Sequence, residues 1–352
     1  MNEATSVTPF SAAYFSGTPD ADAGQAMLLS DTGAGNFTVR LTLTARRNAA
    51  PADAFVFLGH RTLAAAIPSF KGSCEVSGTV HVGARASGRF DSVTPGQLAL
   101  TLLAPSLFLS DCRIAETDVP TVHLTGSDLV ADEPADLHYD PFGSPAGWGQ
   151  MLPYFLSGRF AVANHAVPGT DAAILRDPAC RSRLLEEFHP GDFVLLQFGH
   201  PEEDGKNASD DTPFREQLGH FIGEIRARDA LPVLITPPAG NTFSDGGYVD
   251  LQKDEASDII AVGERSRVPV LELHARTVAV MEQNTKDKTA ALFLPADPSP
   301  TNDAGAFLSA RIIASELKRV CGWADDYQAL AQAVDRSTLR DDDPAAMLFL
   351  NL

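Results

Sequence analysis

The hydrophobic pattern of this chain changes its period once. Up to residue 118 apolar positions recur in twos. "NFTVRLTLTA" at 36–45 places Phe37, Val39, Leu41 and Leu43 on one face, the spacing of a half-buried strand. "AFVFLGHRTLAAAIP", "CEVSGTVHVGA" and "QLALTLLAPSLFLSDCRIAET" continue the alternation, separated by Pro, Gly, Ser and Asp. Short strands with no clear amphipathic helix among them predict a β-sandwich over 1–118. Such a module either binds sugar or braces its neighbour. No cluster of exposed aromatics can be picked out in it, so bracing is the expected role.

From Val119 onward apolar strands alternate with helical stretches, the rhythm of a parallel sheet wrapped by helices over 119–352. "TVHLTG" (121–126), "RFAVANHA" (159–166), "DFVLLQFG" (192–199), "LPVLITPP" (231–238) and "VPVLEL" (268–273) read as its strands. Helices are expected in "AGWGQMLPYFL", in "AAILRDPACRSRLLEEF" with a break, and near 251–267 and 274–286. In "TPFREQLGHFIGEIRARD" the residues Phe214, Leu218, Phe221, Ile222 and Ile225 share one helical face. "NDAGAFLSARIIASELKRV" gives a closing helix with Asn302 as its cap. The tail "DRSTLRDDDPAAMLFLNL" is expected to dock on the body, its DDD run at 341–343 reading as a solvated charge cluster.

Ligands of such sheets sit at the carboxyl ends of the strands, which here carry four loops. They hold Gly126-Ser127-Asp128, "NHAVPGTDA" with Gly169 and Thr170, "FGHPEED" with His200 and Pro201, and "DPSPTN" with Asp297 and Pro300. "VPTVHLTGSDLVAD", "GWGQMLPYF", "VANHAVPG", "GDFVLLQFGH", "LPVLITP" and "DPSPTNDAGA", in that order, resemble the SGNH (GDSL-type) hydrolases, in the rhamnogalacturonan acetylesterase-like branch. The resemblance covers 119 to about 320 and implies a flavodoxin-like three-layer α/β/α domain. The segment before it resembles the β-domain often found ahead of this hydrolase domain.

In active relatives the resemblance implies a Ser after Gly-Asp as nucleophile and a His three residues beyond an Asp as its base. The oxyanion is held by backbone amides, a Gly, and an Asn following Gly-His. A serine hydroxyl needs a base to take its proton, and the tetrahedral oxyanion needs preorganised donors. This chain departs from the pattern. The nucleophile slot holds Asp128, the oxyanion Gly matches Gly169, the Asn slot holds Pro201, the Asp survives as Asp297, and the His slot holds Pro300. No histidine follows His274.

Rescue by Ser127 with His200 is one way back to chemistry, although a one-residue shift at a strand end turns a side chain to the opposite face. Asp128 as nucleophile, or Asp128 and Asp297 as a carboxylate pair acting on a glycosidic bond, are others. Two solvated acids in a silent pocket is the plainer reading. The expectation is a catalytically degenerate member that binds a plant cell-wall-type polysaccharide or oligosaccharide, or pairs with an active homologue. The alternative is an active carbohydrate acetylesterase, or a hydrolase with an altered Asp128/Asp297 site. His165, Trp148 and Gln150 are expected to be structural.

Charge changes this picture little. A formal net charge of −19, from 46 acids against 27 bases, repels polyanions and argues against nucleic-acid or anionic-membrane partners. No apolar run approaches the length of a membrane span. The opening "MNEATSVTPFSAAYF" has no basic-then-apolar leader, so a cytoplasmic location is expected unless a leader has been removed. Cys74, Cys112, Cys180 and Cys321 lack metal-ligand or redox spacing, and no metal or cofactor is expected. Cys74 and Cys112 either pair in an oxidising compartment or stay free and buried.

Overall fold

The computed structural model describes residues 8–9, 25–47, 52–68, 71–83, 93–133, 143–167, 171–199, 212–295 and 299–350, with backbone alone at 8–9, 25–26, 171–173 and 212–213. Among the described residues eight strands precede residue 119: β1 (Thr8–Pro9), β2 (Gln25–Asp31), β3 (Gly35–Ala45), β4 (Ala54–Leu58), β5 (Thr62–Ile67), β6 (Ser73–Val82), β7 (Gln97–Leu103) and β8 (Leu107–Glu116). They form two antiparallel sheets, ordered β1-β8-β3-β6 and β2-β7-β4-β5. Phe37, Val39, Leu41 and Leu43 all point inward, as their alternation requires. In β7 both faces are covered. Leu98, Leu100 and Leu102 fill the sandwich, whereas Leu103 joins Phe57 and Leu63 in a core shared with the rest of the chain. Cys74 and Cys112 are free; they lie opposite Leu43 and Leu41 on the two strands flanking β3.

Next come β9 (Thr121–Gly126), α1 (Trp148–Met151), β10 (Ala161–Asn164), α2 (Asp171–Arg176), α3 (Pro178–Leu185), β11 (Phe193–Gln197), α4 (Thr212–Arg226) and β12 (Leu231–Ile235). A short hairpin, β13 (Phe243–Ser244) and β14 (Gly247–Tyr248), leads to α5 (Lys253–Ser266) and β15 (Val270–Leu271). The helices α6 (Leu273–Gln283), α7 (Lys286–Ala290), α8 (Asp303–Glu316), α9 (Gln328–Ala333) and α10 (Pro344–Leu350) follow. The parallel sheet is ordered β10-β9-β11-β12-β15, so the chain reverses direction across the sheet between β9 and β11, the place where flavodoxin-like folds open a crevice. Helices bury one apolar cluster on each sheet face. Phe214, Leu218, Phe221, Ile222 and Ile225 of α4 are all buried in one of these clusters. The break between α2 and α3 falls at Asp177, whose carboxylate accepts from Ala179 N (2.8 Å) just before Pro178. Asn302 Oδ1 likewise accepts from Ala304 N and Gly305 N to cap α8.

The tail docks as expected, with Phe349 fully buried and 5.1 Å from Phe55 of the sandwich. The DDD run needs correction. Asp341 and Asp342 are exposed and paired with Arg311 and Arg340, but Asp343 is buried. It accepts from Tyr154 Oη (3.0 Å) and from Ala345 N (3.0 Å), so it caps α10. A charge run looks solvated in sequence because the docked helix that buries its last member is not yet in view.

Candidate functional site

The first loop turns on Gly126. Its φ is +149°, and an added Cβ would stand 1.8 Å from Gln197 O, inside any contact distance. Only glycine lets the ends of β9 and β11 approach this closely. Ser127 N then donates to Gln197 O (2.9 Å), and Val130 N and Ala131 N close the turn on Ser127 O and Asp128 O.

This turn sets the direction of both side chains. Ser127 is half-buried, and its Oγ donates to Gln197 Oε1 at 3.1 Å. Gln197 Oε1 also accepts from the indole Nε1 of Trp148 at 3.3 Å, while Gln197 itself is 1 % exposed. Asp128, at the tip, is exposed. Ser127 and Asp128 therefore lead different lives, as the alternation at a strand end demands.

Pro300 sits on the far side of the fourth loop. Its carbonyl accepts from Leu294 N (3.1 Å), and the next residue is locked to the α1 region by Thr301 Oγ1 donating to Ala146 O (2.7 Å). The backbone that would present a base is thus held in place, with a pyrrolidine where the resemblance expects an imidazole. Gly169, Thr170, His200, Pro201 and Asp297 lie outside the described residues. The structure brings Ser127 together with Gln197 and Trp148, and places Asp128 at the solvent-facing tip.

Beneath the turn, Asn164 Nδ2 donates to Val130 O (2.7 Å) and to Asp132 Oδ1 (2.8 Å). Burial pushes the Asp132 carboxyl up to about 7, against the pull of that amide and of Arg61. Arg61 belongs to the sandwich, in the β4–β5 turn, where its own φ is +56°. Its guanidinium donates to Pro145 O and Gln150 Oε1. Gln150 answers by donating from Nε2 to His60 O (2.6 Å), Glu133 O (3.1 Å) and Arg61 O (3.4 Å). Trp148 and Gln150 are 1 % and 0 % exposed, so both are structural here, as expected.

Sequence reasoning missed Gln197, although a polar residue closing the apolar run "FVLLQ" was the available signal. It also missed a buried chain of polar side chains. Asp192 Oδ2 meets His123 Nε2 at 3.1 Å, and His123 Nδ1 meets His165 Nε2 at 2.9 Å. His123 stands in the middle of the apolar strand "TVHLTG", a position that demands a partner.

No family model matches the chain. It is 29% identical over 241 residues to the uncharacterized esterase YxiM of Bacillus subtilis (strain 168), covering 64% of this chain and 62% of that protein, less than two thirds of its length. It is 28% identical over 179 residues to the rhamnogalacturonan acetylesterase RhgT of the same bacterium, covering 51% of this chain and 75% of RhgT. The crystal structure of YxiM superposes with a TM-score of 0.53 at 24% identity, over 85% of this chain and 81% of that one. By sequence the chain is similar to bacterial esterases and rhamnogalacturonan acetylesterases, and by fold it matches the esterase-named YxiM.

Proposed function

We propose that this protein keeps an esterase scaffold without ester hydrolysis and works as a carbohydrate-binding or assembly module. The observation that carries this reading is the fate of the Ser127 hydroxyl, which is donated to the amide oxygen of Gln197 at 3.1 Å. An amide oxygen is not a base and cannot take the proton that acyl transfer requires removed. Pro201 and Pro300 stand in the slots of the oxyanion donor and the base. Neither proline offers an N–H or an imidazole. The rhamnogalacturonan acetylesterase name of RhgT supports an acetylated pectin-type polysaccharide as the ligand class. The sandwich over 1–118 acts as the brace, consistent with the Arg61 and Gln150 contacts.

Acetyl release from p-nitrophenyl acetate and from acetylated rhamnogalacturonan tests the first half. The expected rate equals that of a heat-killed control, and clear turnover above it refutes the reading. Titration calorimetry with rhamnogalacturonan fragments tests the second half, where an absence of heat counts against the carbohydrate version. The exposed tip position of Asp128 favours one second reading, an aspartate-dependent hydrolase acting with Asp297. Asp128→Ala abolishes any turnover on that reading and leaves ligand binding intact on ours.

A further inference from the structure

A cavity of about 430 Å³ lies between the sandwich and the α/β body, a size that accommodates a small molecule. Its lining takes Thr79 and His81 from β6, His165 from the end of β10, and Leu184 from α3. None of Ser127, Asp128 or Pro300 lines it. Asp132 and Asn164, which pack beneath the Ser127 turn, are part of its lining, but the Ser127 hydroxyl itself is not.

The hydrogen bonds around the two histidines fix which nitrogens carry protons when the rings are neutral. Asp192 accepts from Thr121 N at 2.9 Å, from His189 N at 2.9 Å and from His123 Nε2. Burial alone would raise this carboxyl, but the bonds from His123, Thr121 and His189 hold it below the usual carboxylate range. An ionised carboxylate only accepts, so His123 Nε2 carries a proton, and in the neutral ring Nδ1 is then a bare lone pair. His165 Nε2 must then donate to it, in rings only 20° from coplanar, which leaves His165 Nδ1 bare.

The same logic holds for His81. Asn36 Nδ2 donates to Val119 O and to Thr121 Oγ1, both at 3.0 Å, so its Oδ1 is the atom facing His81 Nδ1 at 2.8 Å. His81 donates from Nδ1, and its Nε2 is bare. Burial keeps both rings neutral, pushing His81 down to about 4 and His165 well below the usual imidazole value. Neither His165 Nδ1 nor His81 Nε2 has a partner among the described residues.

We propose that this interdomain cavity binds an uncharged, hydroxyl-rich small molecule that donates one hydroxyl to His165 Nδ1 and another to His81 Nε2. Two acceptor nitrogens in one lining call for a ligand with two donors. Among the described lining residues the acids are Asp132 and Glu187 and the one arginine, Arg183, is exposed, so an anion would meet two lone pairs with little positive charge in the lining. A cation pays for desolvation in the same surroundings that keep the imidazoles neutral. No group of three His, Cys, Asp or Glu among the described residues is placed to hold a metal ion. Val80, Val82 and Val162 supply apolar wall for the carbon face of such a ligand.

The test uses the full chain labelled with [15N]histidine, at pH 7.5, titrated with L-rhamnose, D-galactose, D-xylose and glycerol at high millimolar concentration. D-galacturonate and D-glucosamine serve as charged controls. Long-range nitrogen spectra of the unliganded protein are expected to show His165 protonated at Nε2 and His81 at Nδ1. At least one neutral probe should then shift His165 Nδ1 and His81 Nε2 saturably, and neither charged control should bind more tightly. His165→Phe keeps the ring and removes the acceptor, and should weaken that probe roughly fivefold, the worth of one hydrogen bond. Reversed tautomers, no saturable neutral probe, shifts confined to other residues, or affinity indifferent to His165→Phe overturns the proposal. Where that variant fails to fold, the wild-type spectra decide alone.

Discussion

Replacing Gln150 by Ala should loosen the junction between sandwich and α/β body. Gln150 is 0 % exposed, and its amide donates at 2.6 Å to His60 O and at 3.1 Å to Glu133 O while accepting from Arg61. Truncation removes two good hydrogen bonds of about 1 kcal/mol net each and leaves two carbonyls without their donor, at about 1 kcal/mol or more apiece. Adding the space vacated by the side chain, the expected loss is about 3–5 kcal/mol. Gln150→Glu is the sharper probe. It keeps the shape but offers no donor to three backbone carbonyls, so salt bridging to Arg61 should recover only part of the loss. Guanidinium unfolding followed by tryptophan emission reads this locally, because Trp148 is 1 % exposed beside the junction and Trp323 is 88 % exposed. Both variants within about 1 kcal/mol of wild type would refute the argument that Gln150 holds the turn.

Other expectations concern backbone, pH and chemistry. Gly126→Ala should cost about 4 kcal/mol or prevent folding, since its Cβ would overlap Gln197 O. Gly191→Ala, with φ +89° but nothing within 4 Å, should cost only about 1–2 kcal/mol. Parallel denaturation curves separate the two, and equal costs would undo the close-approach account. His81 is held neutral in the folded state, down to about 4 from 6.5, so the unfolded chain takes up its proton first as pH falls. That contribution is intact above 6.5 and should fade by about 2 kcal/mol between pH 6.5 and 5. Asp132, raised to about 7, works in the opposite sense. It is common to wild type and His81→Asn, so the difference between their pH–stability curves isolates His81, and identical curves would sink the assignment. Asp128→Ser alone should release no acetate from p-nitrophenyl acetate, because on the proposed reading it still lacks a base. Combining it with Pro201→Asn and Pro300→His should give turnover above that single variant; turnover by Asp128→Ser alone would point to a base we have not identified.

Much of the fold is written in local pattern. The switch from a period of two to alternating strands and helices marks the two architectures. The Asp177-Pro178 break and the Asn302 cap are decided by side chains within three residues of the backbone they serve. The nucleophile, oxyanion and base slots rest on motif register alone. The Ser127–Gln197 bond was not, as it joins residues 70 positions apart. Asp192, His123 and His165 likewise meet only once β9, β10 and β11 are in register. Asp343 misled for the converse reason: its neighbours in sequence are solvated, while its partner Tyr154 is 189 positions away. Patterns local in sequence report local structure, and polar chemistry made by strand pairing needs the register first.

The contacts of Gln150 have a bearing on how such a molecule tolerates change. What its amide grips on the sandwich side is peptide carbonyls, those of His60 and Arg61. The identity of the side chain at 60 is invisible to that grip, whereas the left-handed turn carrying residue 61 is indispensable to it. Foreign sandwiches should therefore be graftable onto this body wherever their hairpin tip follows the same path and ends in an arginine, however little else of their sequence is shared.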